Sequence, residues 1–154
     1  MKKAFLFVVA LAIALLSTFP TQTKAQTLSE LREFVNTLNA DCPTGNGDMD
    51  VLSVKMEDNN VIITFLLTEN PKDDGFTIAN LKKDKDGIST LVKLLLSYEL
   101  LKQEETKDLI TGCAMNNRNL QYCFLSMKSH KSHTITVTAT ELVEIIRDAN
   151  SDEN

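Results

Sequence analysis

The segment Val61-Ile62-Ile63-Thr64-Phe65-Leu66-Leu67 is apolar on both faces that an extended chain presents, and it is only seven residues long. A run this short, rich in β-branched and aromatic residues, fits a strand better than a helix. Just before it, Leu52, Val54 and Met56 alternate with Ser53, Lys55 and Glu57, the two-residue period of a half-buried strand. Asp58-Asn59-Asn60 between the two runs tolerates the positive φ of a tight turn, so residues 51–67 are expected to form a β-hairpin. The same grammar returns later. Leu120 to Met127 reads as a strand, Lys128-Ser129-His130-Lys131-Ser132-His133 as a basic turn, and Thr134 to Thr138 as an alternating, half-exposed strand.

Helical signals separate the hairpins. Thr27-Leu28-Ser29-Glu30 has the form of a capping box, and Leu28, Leu31, Phe34, Val35 and Leu38 then recur at helical spacing, predicting a helix over 28–39. Asp41 to Asp48, with one Pro and two Gly, reads as a loop. Thr77 to Lys85 predicts a short helix ended by Asp86-Gly87, and Ser89 is placed to cap a longer one running through Leu101. Leu109, Ile110, Cys113 and Ala114 mark a further pair of helical turns, with Lys102 to Thr106 either a polar break or a continuation of the helix before them. Thr138 to Glu141 repeats the capping box and opens a last helix with Leu142, Val143, Ile145 and Ile146 inward, ahead of a solvated tail at 150–154.

The simplest assembly is an α+β domain over 26–149, its order α-β-β-α-α-β-β-α. Two β-hairpins form a four-stranded antiparallel sheet with helices on at least one face. The two long apolar strands carry more apolar surface than one helical layer obviously covers. Either helices cover both sheet faces, or one face meets a protein partner, a second copy included. The residues expected on that surface are Ile62, Thr64, Leu66, Leu125 and Met127.

The first 25 residues follow another pattern. Lys2 and Lys3 precede an unbroken apolar run, Ala4 to Leu16, and Thr23-Lys24-Ala25 offers a site for signal peptidase before Gln26. As a helix, such a run spans about 20 Å, short of the roughly 30 Å hydrocarbon core. The expectation is a cleaved signal peptide over 1–25, export to the periplasm or beyond, and no stable membrane anchor after processing. Removal takes three Lys and no acid, moving the net charge from -5 to -8. That acidity argues against nucleic acid as a partner, since phosphate binding depends on Lys and Arg.

Export makes the three Cys a disulfide question. Cys113 and Cys123 are the first choice of pair, because the helix bearing Cys113 could pack over the strand bearing Cys123. Cys42 with either of them, or three reduced thiols, are the alternatives. No catalytic residue, cofactor or metal ligand emerges from the spacing. His130 and His133 lack a zinc hydrolase's Glu and i, i+4 helical spacing, and flanking Lys128 and Lys131 repel a cation. A calcium loop placed on Gly87 would need carboxylates where Lys82 and Lys93 stand. Gly45-Asn46-Gly47 is too short to cradle phosphate, and no G-x-S-x-G elbow occurs.

The leader, the first helix running into Leu38-Asn39-Ala40-Asp41-Cys42-Pro43, and the hairpin from Val51 to Leu67 resemble small exported proteins of unknown function from Bacteroides-type Gram-negative bacteria. The resemblance spans about the first half of the chain beyond the leader. It implies an envelope or secreted location and brings no activity, cofactor or catalytic residue. Two functions follow as expectations. One is a non-catalytic binding or interaction module of the periplasm or cell envelope. The other is a small periplasmic hydrolase, which requires a concave pocket holding at least two converging carboxylates of raised pKa.

Overall fold

The computed structural model describes residues 27–45, 49–69, 77–100 and 104–151. The expected signal peptide at 1–25 lies outside them. The first helix, α1 (Leu28–Ala40), starts at the predicted capping box: Thr27 Oγ1 accepts the Glu30 amide at 3.2 Å, and Glu30 Oε2 accepts the Thr27 amide at 2.8 Å. Its apolar stripe, Leu31, Phe34, Val35 and Leu38, is buried. The elements that follow are β1 (Thr44–Gly45), β2 (Met49–Glu57), β3 (Asn60–Leu67), α2 (Ile78–Lys83), α3 (Lys85–Leu100), α4 (Glu104–Met115), β4 (Asn119–Ser126), β5 (Lys131–Val137) and α5 (Ala139–Ser151).

The described strands form one sheet in the order β1-β2-β3-β4-β5. Both predicted hairpins are present, β2–β3 turning at Asp58 with φ 50° and β4–β5 at His130 with φ 51°. The expected four-stranded antiparallel sheet is corrected in two respects. A two-residue strand, β1, joins β2 at one edge, and the two hairpins meet through a parallel pair, β3 against β4. Parallel neighbours need a long crossover, and α2, α3 and α4 supply it between Leu67 and Asn119. The element order therefore carries three helices between the hairpins where two were expected.

Each central strand alternates strictly between buried and half-buried residues. Val61, Ile63, Phe65 and Leu67 of β3 and Leu120, Tyr122 and Phe124 of β4 face the helices, joined by Met49, Val51 and Val54 of β2. Phe65 stacks on Phe124 with ring centroids 5.1 Å apart and on Tyr122 at 6.1 Å. Every described helix contributes to this one core, for example Leu38, Leu81, Val92, Ile110 and Leu142. Burial of this aromatic and aliphatic surface, about 25 cal/mol per Å², is the main force holding the layers together. A bulge between Val51 and Ser53 interrupts the β2 ladder. Asn39 answers it from α1, its Oδ1 accepting the Val54 amide at 3.0 Å.

Several local expectations change. The break between α2 and α3 falls at Asp84, and Gly87 lies in the first turn of α3. Asp84 accepts the Ile88 amide at 3.0 Å through its carbonyl, while its carboxylate lies where a Gly87 Cβ would stand, 2.7 Å away. Gly87 thus makes room for Asp84 and does not end a helix, and Ser89 sits inside α3. Part of the predicted basic turn is strand, since β5 begins at Lys131. The α5 cap forms as predicted, with Glu141 Oε2 accepting the Thr138 amide at 2.8 Å. Val143, expected inward, is 51% exposed, because the buried positions of α5 run 139, 142, 145 and 149. The helix also extends through Asn150 and Ser151.

The expected Cys113–Cys123 disulfide is absent, and all three Cys are free. Cys113 sits in the core on the helical side of the sheet. Cys123 alternates with core-facing Tyr122 and Phe124 and therefore projects from the opposite face of β4. The sheet lies between them.

Candidate functional site

The strand register assigns the side chains that point away from the helices. Asp50, Leu66, Leu125 and Ser132 form one row across β2, β3, β4 and β5. Ser53, Thr64, Cys123 and Thr134 form the next, and Lys55, Ile62, Gln121 and Thr136 the third. Ile62, Thr64 and Leu66 descend β3 side by side, with Leu125 beside Leu66. They are half-buried, and the partly exposed apolar residues that pack on the helical core are others: Cys42, Met56, Leu95, Ala114 and Ile146. Four of the five residues expected on a partner surface thus share one face. Met127, the fifth, stands just beyond the end of β4 and is 69% exposed. Polar residues flank the strip. Gln121 Nε2 donates to Thr136 Oγ1 at 3.2 Å, and Lys55 is exposed.

At the end of β3, Glu69 ties three segments together. Its Oε2 accepts the Ser126 hydroxyl at 2.6 Å and its Oε1 accepts the Ile78 amide at 2.9 Å, so it joins the start of α2 to the end of β4. Ser126 Oγ in turn accepts the Ser129 amide at 3.2 Å and closes the β4–β5 turn. Burial by itself would raise the Glu69 pKa, but hydrogen bonds from Ser126, Ile78 and Ser129 and the nearby Lys128 charge together hold it below the usual carboxylate value. A cavity of about 300 Å³ lies beside it, lined by Glu69, Thr77, Ala79, Lys128, Ser129 and Lys131. Among the described residues, one carboxylate faces it, alongside two lysines. The pair of converging acids that a hydrolase of this type needs is not assembled there among the described residues. Among the described residues, the other carboxylate whose pKa is displaced is Glu141, and it too is lowered, chiefly by its hydrogen bond from Lys93 Nζ at 2.5 Å.

The two His do not come together as ligands. His130 occupies the turn, while His133 faces the helical side at the sheet edge, its pKa lowered by burial and by Lys82. Among the described residues, no group of three or more His, Cys, Asp or Glu is placed to hold a metal ion. None of the described helices is long and apolar enough to cross a membrane. Cys113 lies too deep to act as a nucleophile, burial pushing its thiol up to about 12. Sequence reasoning missed Glu69, because an acid in a loop carries no signal until the fold brings it to Ser126.

No protein-family profile and no curated protein sequence matches the chain. Among solved structures, it is similar to the crystal structure of a candidate secreted protein from Pseudomonas aeruginosa, at 15% identity and a TM-score of 0.48. The similarity covers 79% of this chain and 98% of that one.

Proposed function

We propose that the protein is exported, is processed before Gln26, and serves as a non-catalytic interaction module of the periplasm or cell envelope. In this reading the sheet face opposite the helices meets a protein partner. The observation that carries the reading is the strip of Ile62, Thr64, Leu66 and Leu125, which lies outside the helical core and is framed by polar side chains. An apolar centre with a polar rim is the usual anatomy of a protein interface. The leader of Lys2 to Ala25 supports export.

Site-specific photo-crosslinking in an exporting cell tests both parts. A crosslinker at position 125 is expected to give a discrete protein adduct in the processed chain, whereas one at exposed Val143 on α5 gives none. Equal adducts at both positions, or none at 125, would remove the assignment of the sheet face. Mass mapping that finds an N-terminus far from Gln26 would remove the assignment of export.

A further inference from the structure

The two edges of the sheet are finished differently. At one edge stands β1, two residues long. At the other stands β5, Lys131–Val137, seven residues that span about 23 Å. The backbone of β5 bonds along one side to β4, and among the described residues it makes no backbone hydrogen bond to any other segment. An edge of this kind is a template for another strand unless Pro, a bulge, charge or brevity blunts it. β5 has no Pro, its pairing with β4 has no register shift, and its one Lys is at the first position.

We propose that this edge pairs with the same edge of a second copy of the chain, antiparallel about Thr134, so that the two five-stranded sheets become continuous. The surface differs from the sheet face assigned above, and the proposal goes beyond that reading. Three features select a second copy. The first is charge. Thr134 is the central residue of β5, and pairing about it sets Lys131 against Val137 of the second copy and His133 against Ile135. Sliding the two-fold to His133 or Ser132 shortens the paired stretch from seven residues to five or three, and sliding it to Lys131 sets that charge against its own copy, where like charges directly opposite are destabilising. A parallel arrangement would set Lys131 beside its own copy. The second is the row of exposed hydroxyls on the outer side of β5, Ser132, Thr134 and Thr136. In the Thr134 register they meet as Thr134 with Thr134 and Ser132 with Thr136, cross-strand pairs that favour a sheet. The third is closure, since antiparallel pairing about one residue generates a two-fold axis and ends at a dimer.

Sedimentation of the protein purified after export tests the proposal. The wild-type chain is expected to sediment as a dimer. Thr134→Lys and Thr134→Glu, both at an exposed position that leaves the core intact, are each expected to weaken that dimer by roughly tenfold or more. Mixing the two variants is expected to restore a dimer, because opposite charges then face each other across the axis. Hydrogen exchange gives a second reading: alternate β5 amides, those turned away from β4, are protected in the wild type and open in either single variant. A Leu125→Asp variant should remain dimeric, which separates this interface from the sheet face. A wild-type monomer, a dimer that survives Thr134→Lys, a mixture that fails to recombine, or a monomer whose edge instead takes up an extended peptide of another protein would each overturn the proposal.

Discussion

Tyr122→Phe should make the protein more stable. The Tyr122 ring is 2% exposed and packs in the centre of the core against Phe65, yet its hydroxyl is buried with no hydrogen-bond partner among the described residues. A buried donor left unpaired costs about 1–3 kcal/mol. Deleting the oxygen removes that cost and opens a void of little more than one atom. At about 24 cal/mol per Å³, a void of roughly 15 Å³ costs about 0.4 kcal/mol. The net expectation is a gain of about 1–2 kcal/mol, the low to middle part of that range. Urea unfolding followed by far-ultraviolet circular dichroism should show a higher midpoint at unchanged slope. The variant also changes the alkaline limb. Burial, and secondarily Cys113, raise the Tyr122 pKa above its ordinary value. The folded phenol therefore keeps its proton above pH 10 while the unfolded one releases it. Stability from this group is fully present below about pH 10 and falls as pH rises beyond it. Tyr122→Phe should flatten that fall. A variant destabilised by 1 kcal/mol or more, with the alkaline limb intact, would mean that the hydroxyl is paired and would refute the argument.

Two further outcomes follow from the same geometry. Glu69→Gln removes the charge that receives the Ser126 hydroxyl and the Ile78 amide, and should cost about 1–2 kcal/mol at neutral pH. Because the Glu69 pKa is lowered, its contribution is present above the unfolded value near pH 4.3 and is lost as pH falls through the folded one; over that fall the wild type and the variant should converge, and a gap that stays constant throughout the acid titration would contradict this. Thiol titration of the exported protein in denaturant should count three free thiols per chain, with Cys113 reacting only once the chain is unfolded; a count of one would restore a disulfide.

Period and punctuation made much of the fold legible. Both hairpins, the caps at Thr27 and Thr138 and the buried stripe of α1 follow from local rules, because each depends on residues within a few positions of one another. The two apolar faces of β3 and β4 left open whether helices cover both sides of the sheet or one apolar row stays outside the core, and in the structure Ile62, Thr64, Leu66 and Leu125 share the face away from the core. The break at Asp84 was misplaced because Gly87 looks like a helix terminator until the neighbouring carboxylate is seen lying against it. The Cys113–Cys123 pair rested on a helix packing over a strand, and failed because the strand sends Cys123 to the side opposite its neighbours.

The sequence by itself determined the two hairpins, the first and last helices and their opening caps, since those depend on the 3.6- and 2-residue periods and short-range contacts of one chain segment. Only the tertiary structure decided that β3 lies parallel to β4, that the described helices gather on one face, that Glu69 reaches Ser126, and that β5 stands at an open edge. These are relations between segments far apart in the chain. A strand's pattern says what its two faces want, and is silent about which backbone will lie along either edge.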